Sequence, residues 1–560
     1  MANRGFSVSD EGTYVVTYRD WTNAAYFESG AQYFYGPIFH ALGENVAWLR
    51  IVRLGMALGA NFWFAWAFVS WLSKIRGASI TQVGRRALVL LILAAGAPAY
   101  MFTPLTPGYY DLTVDITLCF GAIVCLTASK VHGIERPSTM LAFTTGLLAF
   151  IVIVAKWPAV ITVFAAEVVL LILVRGCGRW AMLQHLLGFA AGFGVALLGM
   201  DWFMEPVPDV FRVLSLVMGT RTGAEGGLRA LLAWYLIDTS YTLFLGGLFA
   251  APTALLLLVT TAKRFKMPER SRAWRIAAVV VPTASLLFFA GWRGGTPHGK
   301  APIAAMIGAL LTIVVIGFLN SDLSRVRNAF ATRETRNSTV LLIALLALPV
   351  LQALGASSPI LYLGLECMAM WMAVSITLAT GSFNRPLLRD TVWTCICSTI
   401  VIASTFAGST AMLTPFKTSG FKESTSQIPG IPELRVDDVA ASQFQAVTRV
   451  LAPFIQPGSR TPFYTLDELS GLVYILGGRV IGTPYTNASA PNRSAAILAL
   501  ACRRGDVDSS RPPILLLNRA IDQESSSALM ECGFAFPAKY REISIPGGPR
   551  GLTAWVPRRT

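Results

Sequence analysis

Apolar runs long enough to cross a lipid bilayer recur about twelve times along this chain; each such crossing takes about 20 residues of low polarity. They fall near 51–72, 87–103, 112–129, 139–155, 157–174, 183–204, 236–260, 276–292, 301–319, 339–355, 359–381 and 391–413. Charged residues make up 14% of the chain, against about 25% in a soluble protein. The sequence therefore predicts a polytopic α-helical membrane protein.

The loops between these runs alternate in charge. Lys74, Arg76, Arg85 and Arg86 lie in the first, Lys130 and Arg136 two loops later, and then Arg175 and Arg179. The pattern continues through "AKRFKMPERSRAWR", then Arg325 to Arg336, and then Arg385 and Arg389. By the positive-inside rule these loops face the cytoplasm. Residues 1–50, "TPLTPGYY", the turn at Lys156, residues 205–235, "RGGTPHGK" and the tail after 413 then lie on the outer side. The same rule accounts for the net charge of +15. Nucleic acid is excluded as a partner, because no basic patch is interleaved with aromatics. The eight cysteines include no CxxC pair and no His at ligand spacing, so a structural metal is not supported.

After 413 the composition changes. "KTSGFKESTSQIPGIPE" predicts a linker over 414–435. Residues 436–560 then alternate between helical and extended patterns. "DDVAASQFQAVTRVLAPFI", "ELSGLVYILGG", "SAAILALACRRG" and "ESSSALMECG" predict helices, and "PFYTL", "PPILLLN" and "TAWVP" strands. This is a small α/β domain on the outer, periplasmic face. It holds Cys502 and Cys532. An oxidising compartment permits a disulfide between them; two separately buried thiols are the alternative.

Charge on the outer face is sparse, so each instance is informative. "SVSDEGTY" carries the adjacent acids Asp10 and Glu11, which either cap a solvated chain start or belong to a site. Arg50 and Arg53 stand at the mouth of a helix and either snorkel to headgroups or hold a ligand. "PGYYDLTVD" supplies Tyr109, Tyr110, Asp111 and Asp115. Lys156 is wedged in a minimal turn against the positive-inside rule and needs a partner or a ligand. Arg293, His298 and Lys300 follow in a later outer loop. Glu167 and Glu366 fall inside apolar runs, as structural hydrogen-bonders. Carboxylates and cations gathered on one side of a membrane domain suit a lipid-phosphate substrate. Cations hold the phosphate and a carboxylate takes a proton. They suit a transporter less well, since midplane charges and broken helices are not prominent.

These motifs resemble the GT-C superfamily of polyprenyl-phosphate-sugar-dependent glycosyltransferases, above all bacterial aminoarabinose transferases and protein mannosyltransferases. The resemblance runs along most of the chain on short motifs: the acidic pair in "SDEGTY", the arginine leading into a helix in "YGPIFHALGENVAWLRIVRLG", the outer acid Asp111, "KWP" at Lys156, and "GLVYILGGR" from Gly471 to Arg479. In that family a helix precedes the acidic pair. Residues 1–50 are accordingly expected either as a translocated N-out tail or as a loop whose leading helix is missing from the gene model. The resemblance implies a bacterial inner-membrane enzyme that moves a sugar from a polyprenyl-phosphate donor to an envelope acceptor, a lipid, glycan or protein, with inversion. Asp10 would be the general base. Lys156, Arg53 and Arg293 would bind the donor phosphate. Glu11, Asp111, Tyr109, Tyr110 and His298 would orient sugar or acceptor. Glu11 and Asp111 would also hold a divalent cation, Mg or Mn, where one is used. The rival expectations are a transporter or lipid flippase, and a catalytically inactive structural homologue.

Overall fold

In the computed structural model the described residues run from 2 to 558, with breaks at 23–28, 77–79, 97–104, 134, 205, 220–226, 262–279, 282–331, 356–359, 381–424, 457, 459, 467, 486–490 and 550. The chain is mostly helical, with an α/β region at its C-terminal end. Two short helices, α1 (Asp10–Arg19) and α2 (Gln32–Ala41), precede the long α3 (Val46–Arg76). There follow α4 (Gln82–Gly96), α5 (Tyr109–His132), α6 (Thr139–Ala155), α7 (Val160–Arg175), α8 (Arg179–Phe203), α9 (Val207–Gly219), α10 (Gly227–Thr261), α11 (Arg333–Leu351), α12 (Ile360–Leu365) and α13 (Met368–Thr380).

Six of the described helices contain stretches long and apolar enough to cross a membrane: Val46–Ile75, Tyr109–His132, Trp157–Arg175, Arg179–Phe203, Leu231–Leu248 and Arg333–Leu351. This is half the expected twelve, for identifiable reasons. The apolar helices α4 and α6 have 15 and 17 residues, less than the usual span. The run expected over 359–381 is broken at Glu366 and Cys367 into α12 and α13. The runs at 276–292, 301–319 and 391–413 lie outside the described residues, apart from 280–281. α5 is the hub of the bundle, its apolar window 89% buried.

Among the described residues, the basic loops after α3, α5 and α7 and the one before α11 meet at one end of this bundle, where Arg333 also reaches Cys177. Lys74 pairs with Glu135 at 2.8 Å, and His132 lies 3.3 Å from Glu334. The C-terminal domain and residues 2–22 gather at the other.

That domain opens with a hairpin, β1 (Ser426–Ile428) and β2 (Ile431–Val436), turning at Gly430 with φ +78°. The hairpin corrects the linker expected over 414–435, of which 426–435 are taken up by its two strands and their turn. Next come α14 (Asp438–Leu451), β3 (Pro462–Thr465), α15 (Ser470–Ile475), β4 (Arg479–Val480), α16 (Pro491–Arg503), β5 (Ile514–Leu517), α17 (Gln523–Glu531), β6 (Tyr540–Ser544) and β7 (Thr553–Pro557). The sheet order is β4-β3-β5-β7-β6, with β4, β3 and β5 parallel and β7 and β6 antiparallel. β5 reads as a continuous apolar run because both its faces are covered. Ile514 and Leu516 join the core that includes α14 and α15, and Leu515 and Leu517 the one that includes α16 and α17. Cys502 and Cys532 are disulfide-bonded across the latter layer.

The first residues are wound into this domain. Gly5 donates to the Arg435 carbonyl at 2.8 Å, Arg435 to that of Asn3 at 2.9 Å, and Gly471 to that of Val8 at 2.8 Å. Two glycines let α1 and α15 meet backbone to backbone: a Cβ on Gly12 would overlap the Gly471 backbone, and one on Gly471 that of Val8. Gly12→Val should therefore push the helices apart and destabilise the protein by about 1–3 kcal/mol, as overpacking does. Limited proteolysis in detergent should release the C-terminal domain faster than from wild type. Gly59→Ala, where the added carbon meets nothing, is the control and should match wild type. Equal proteolysis of the Gly12 variant would show that the contact does not hold the domain.

A carboxylate, arginine and tyrosine cluster at one end of the bundle

The two adjacent acids of α1 part company. Successive helical residues point about 100° apart, so only one of them can face the core. Glu11 does, and it is completely buried. Its Oε2 accepts from the Ser7 N–H at 3.1 Å, and its Oε1 from Arg50 Nε at 2.9 Å and from the Thr106 hydroxyl. Arg50 Nη2 adds a contact of 2.8 Å. The same guanidinium donates to the carbonyls of Ala2, Arg4 and Gly5. Arg50 thus ties the start of the chain to α3. Asp10, by contrast, is exposed at the first position of α1, where the helix dipole favours a negative charge.

Arg53 follows Arg50 by three residues and shares its face of α3. It is buried and donates from Nε to Asp111 Oδ1 at 2.5 Å. The other Asp111 oxygen accepts the Gly108 N–H at 2.7 Å, capping α5. Neither arginine snorkels to headgroups; each meets a carboxylate inside the protein.

Tyrosines close the cluster. "TYVVTY" sets Tyr14 and Tyr18 four residues apart on one face of α1, and their rings stack with centroids 6.0 Å apart. Tyr14 meets Tyr109 at 6.4 Å and Tyr18 meets Tyr35 at 5.6 Å. The Tyr18 hydroxyl donates to the Pro107 carbonyl at 2.6 Å. Burial raises the pKa of Tyr14, Tyr18 and Tyr35 well above the usual tyrosine value. All three are neutral at physiological pH.

Lys156 is buried in the turn after α6. Its ammonium donates to the Gln352 carbonyl at 2.5 Å and sits 5.5 Å from the centre of the Tyr110 ring. Gln352 is anchored by its own side chain to the Leu363 carbonyl at 2.8 Å, next to the break that carries Glu366. Burial pulls the Lys156 pKa down to about 7, and the Glu366 charge opposes that fall.

Asp10, Tyr109, Tyr110, Asp111, Arg53 and Lys156 therefore belong to one end of the bundle, around the start of α5. Arg293 and His298 lie outside the described residues. Glu11 changes role: fully enclosed, it braces the fold, and the expectation that it orients sugar or acceptor gives way. Glu11 and Asp111 direct their oxygens at arginine, amide and hydroxyl donors, an arrangement that does not fit a divalent cation, and no step below uses one. Tyr14, Tyr18, Tyr35 and Gln352 escaped the sequence reading. Only the i, i+4 spacing of Tyr14 and Tyr18 could have pointed to any of them.

A scan against protein-family models and a search of curated proteins found no match for this chain.

Proposed function

We propose that this protein is a membrane glycosyltransferase. It moves a sugar from a polyprenyl-phosphate donor to a hydroxyl of an envelope acceptor on the periplasmic face of a bacterial inner membrane. The observation that carries this is the division of labour in the acid pair: Glu11 is consumed by Arg50, and Asp10 is exposed on the same helix, one turn before Tyr14.

The acceptor oxygen attacks the anomeric carbon as Asp10 takes its proton. The bond from that carbon to the phosphate oxygen breaks, and the phosphate departs with the electron pair. A single displacement inverts the centre. Lys156 meets the charge that develops on the leaving phosphate, since its hydrogen-bond acceptor, the Gln352 carbonyl, is neutral. Arg53 contributes more weakly because Asp111 offsets it. Arg293 and His298 keep their proposed roles in phosphate binding and orientation, and Tyr109 and Tyr110 line the approach. The deciding experiment is sugar transfer by the purified protein with Asp10 intact and replaced.

Donor binding supplies a separate prediction. Lys156→Met should weaken binding of a polyprenyl phosphate about 10- to 100-fold, as loss of a charge-assisted hydrogen bond does. Wild-type affinity should fall as pH rises from 6 to 9. Above about 7 the unliganded lysine is the neutral amine, and phosphate binding must then take up a proton. The Lys156→Met variant should lose that part of the pH dependence. Binding by the variant as tight as wild type at pH 6 would remove Lys156 from the site.

A further inference from the structure

The apolar run over 359–381 is long enough for one uninterrupted helix, yet it breaks at Glu366 and Cys367. A broken helix in such a run is tolerated where the freed backbone groups find partners within the protein. Here they do. In a continuous helix the Leu363 carbonyl would accept the N–H of Cys367, four residues on. Instead Cys367 donates to the Gly364 carbonyl at 3.0 Å. The Leu363 carbonyl takes the Glu366 N–H at 3.2 Å and the Gln352 side-chain amide at 2.8 Å. The break thus opens a carbonyl to a side chain from the end of α11.

Gln352 is completely buried, and chemistry allows its amide one orientation. Turned over, it would set its oxygen against the Leu363 carbonyl, acceptor against acceptor. Its main-chain N–H is held as well, by the Leu348 carbonyl at 3.0 Å. The Gln352 carbonyl, fixed by both, accepts the Lys156 ammonium at 2.5 Å. A second contact locks the same two segments. Gly355, with φ +79°, lies against Pro158 of the "KWP" turn, where a Cβ would overlap the proline ring. Residues 29–30 brace the turn too: the Ser29 hydroxyl donates to the Ala155 carbonyl at 2.8 Å, and the Gly30 N–H to that of Val154 at 3.1 Å.

We propose that Gln352 is a positioning residue of the donor site: it ties the end of α11 to the helix break and so directs Lys156 at the donor phosphate. This rests on the role given to Lys156 above. Gln352 touches no substrate and acts through its carbonyl. An ammonium carries three N–H donors, and spending one on a fixed carbonyl sets the direction of the others. A lysine without that contact has to be ordered at the moment of binding; Gln352 orders it beforehand, and such preorganisation raises affinity. The helix break is then a built part of the donor site. The carbonyl also favours the charged form of Lys156, against the burial that pulls its pKa down to about 7. The ionisable group whose charge acts on Lys156 is Glu366, at the break itself, and Arg53, Asp111 and Asp115 act on Glu366 in turn.

The test is a double-mutant cycle on the full-length protein in detergent, read as binding of a polyprenyl phosphate. Gln352→Met keeps the shape of the side chain and removes the amide. It should weaken binding about ten-fold, the loss expected of a hydrogen bond to a charged group. In the Lys156→Met background the same substitution should have no effect, since the group it positions is gone. The fall of affinity with rising pH should also begin at lower pH in Gln352→Met than in wild type, because a lysine without its acceptor loses its proton sooner. A loss of equal size in both backgrounds, or an unchanged pH profile, would make Gln352 a packing residue and overturn the inference. Should Gln352→Met not fold, Gly355→Ala takes its place: it displaces Pro158 while leaving the amide intact, and its loss should likewise vanish in the Lys156→Met background. Binding by Lys156→Met as tight as wild type would overturn the role of Lys156 itself, and that of Gln352 with it.

Discussion

Asp10→Asn should cut sugar transfer from a polyprenyl-phosphate donor by about 10² to 10⁴, the usual contribution of a positioned general base. A hydroxyl is a poor nucleophile at neutral pH and gains from proton removal as its bond forms. The amide has nearly the shape of the carboxylate but cannot accept that proton. Asp10 is exposed, so the exchange should leave the fold intact and donor affinity within a few fold. Thermal unfolding in detergent should match wild type. Full turnover by the variant would show that Asp10 is not the base, and would return the first turn of α1 to the status of a charged helix end.

Its neighbour should behave in the opposite way. Glu11→Gln should destabilise the protein by about 3–5 kcal/mol, because removing one partner of a buried ion pair strands the other charge. The Arg50 guanidinium would keep the carbonyls of Ala2, Arg4 and Gly5 but lose its counter-ion. The expected readout is a lower unfolding temperature, with residual transfer following the fraction still folded. The double variant Glu11→Leu, Arg50→Met should recover only part of the loss, since three carbonyls then lack their donor. If Glu11→Gln folds as well as wild type and loses turnover, Glu11 belongs to the chemistry after all. The two substitutions, one residue apart, thus separate catalysis from folding.

The sequence exposed the helices through apolar length alone, and the central strand β5 through an unbroken run of Ile514 to Leu517. It placed the start of α3 five residues late. Arg50 and Arg53 look like the polar approach to a span until Glu11 and Asp111, distant in sequence, are brought to them. Lys156 was legible because a lysine on the wrong side of the charge rule demands an explanation. Its acceptor was not, since Gln352 lies 196 positions further on. The tyrosine wall was hidden because aromatic residues at helical spacing look the same in any core. The β1–β2 hairpin looked like linker, because its strands are short and interrupted by Pro429, Gly430 and Pro432. β6, at a sheet edge, has only Tyr540 and Ile543 as apolar residues, three positions apart, a weak signal beside the buried strands.

The backbone contact between Gly12 and Gly471 also sets an order of events. Translation delivers Asp10 early and α15 only near the end of synthesis. Until β2 and α15 arrive, residues 3–5 have no strand to lie along and α1 has no floor beneath it. The carboxylate proposed as the base therefore cannot take its final position before residues 431–475 have been made. A chain cut before α15 would carry Asp10 without the contact that seats it, and under the function proposed above it should transfer no sugar.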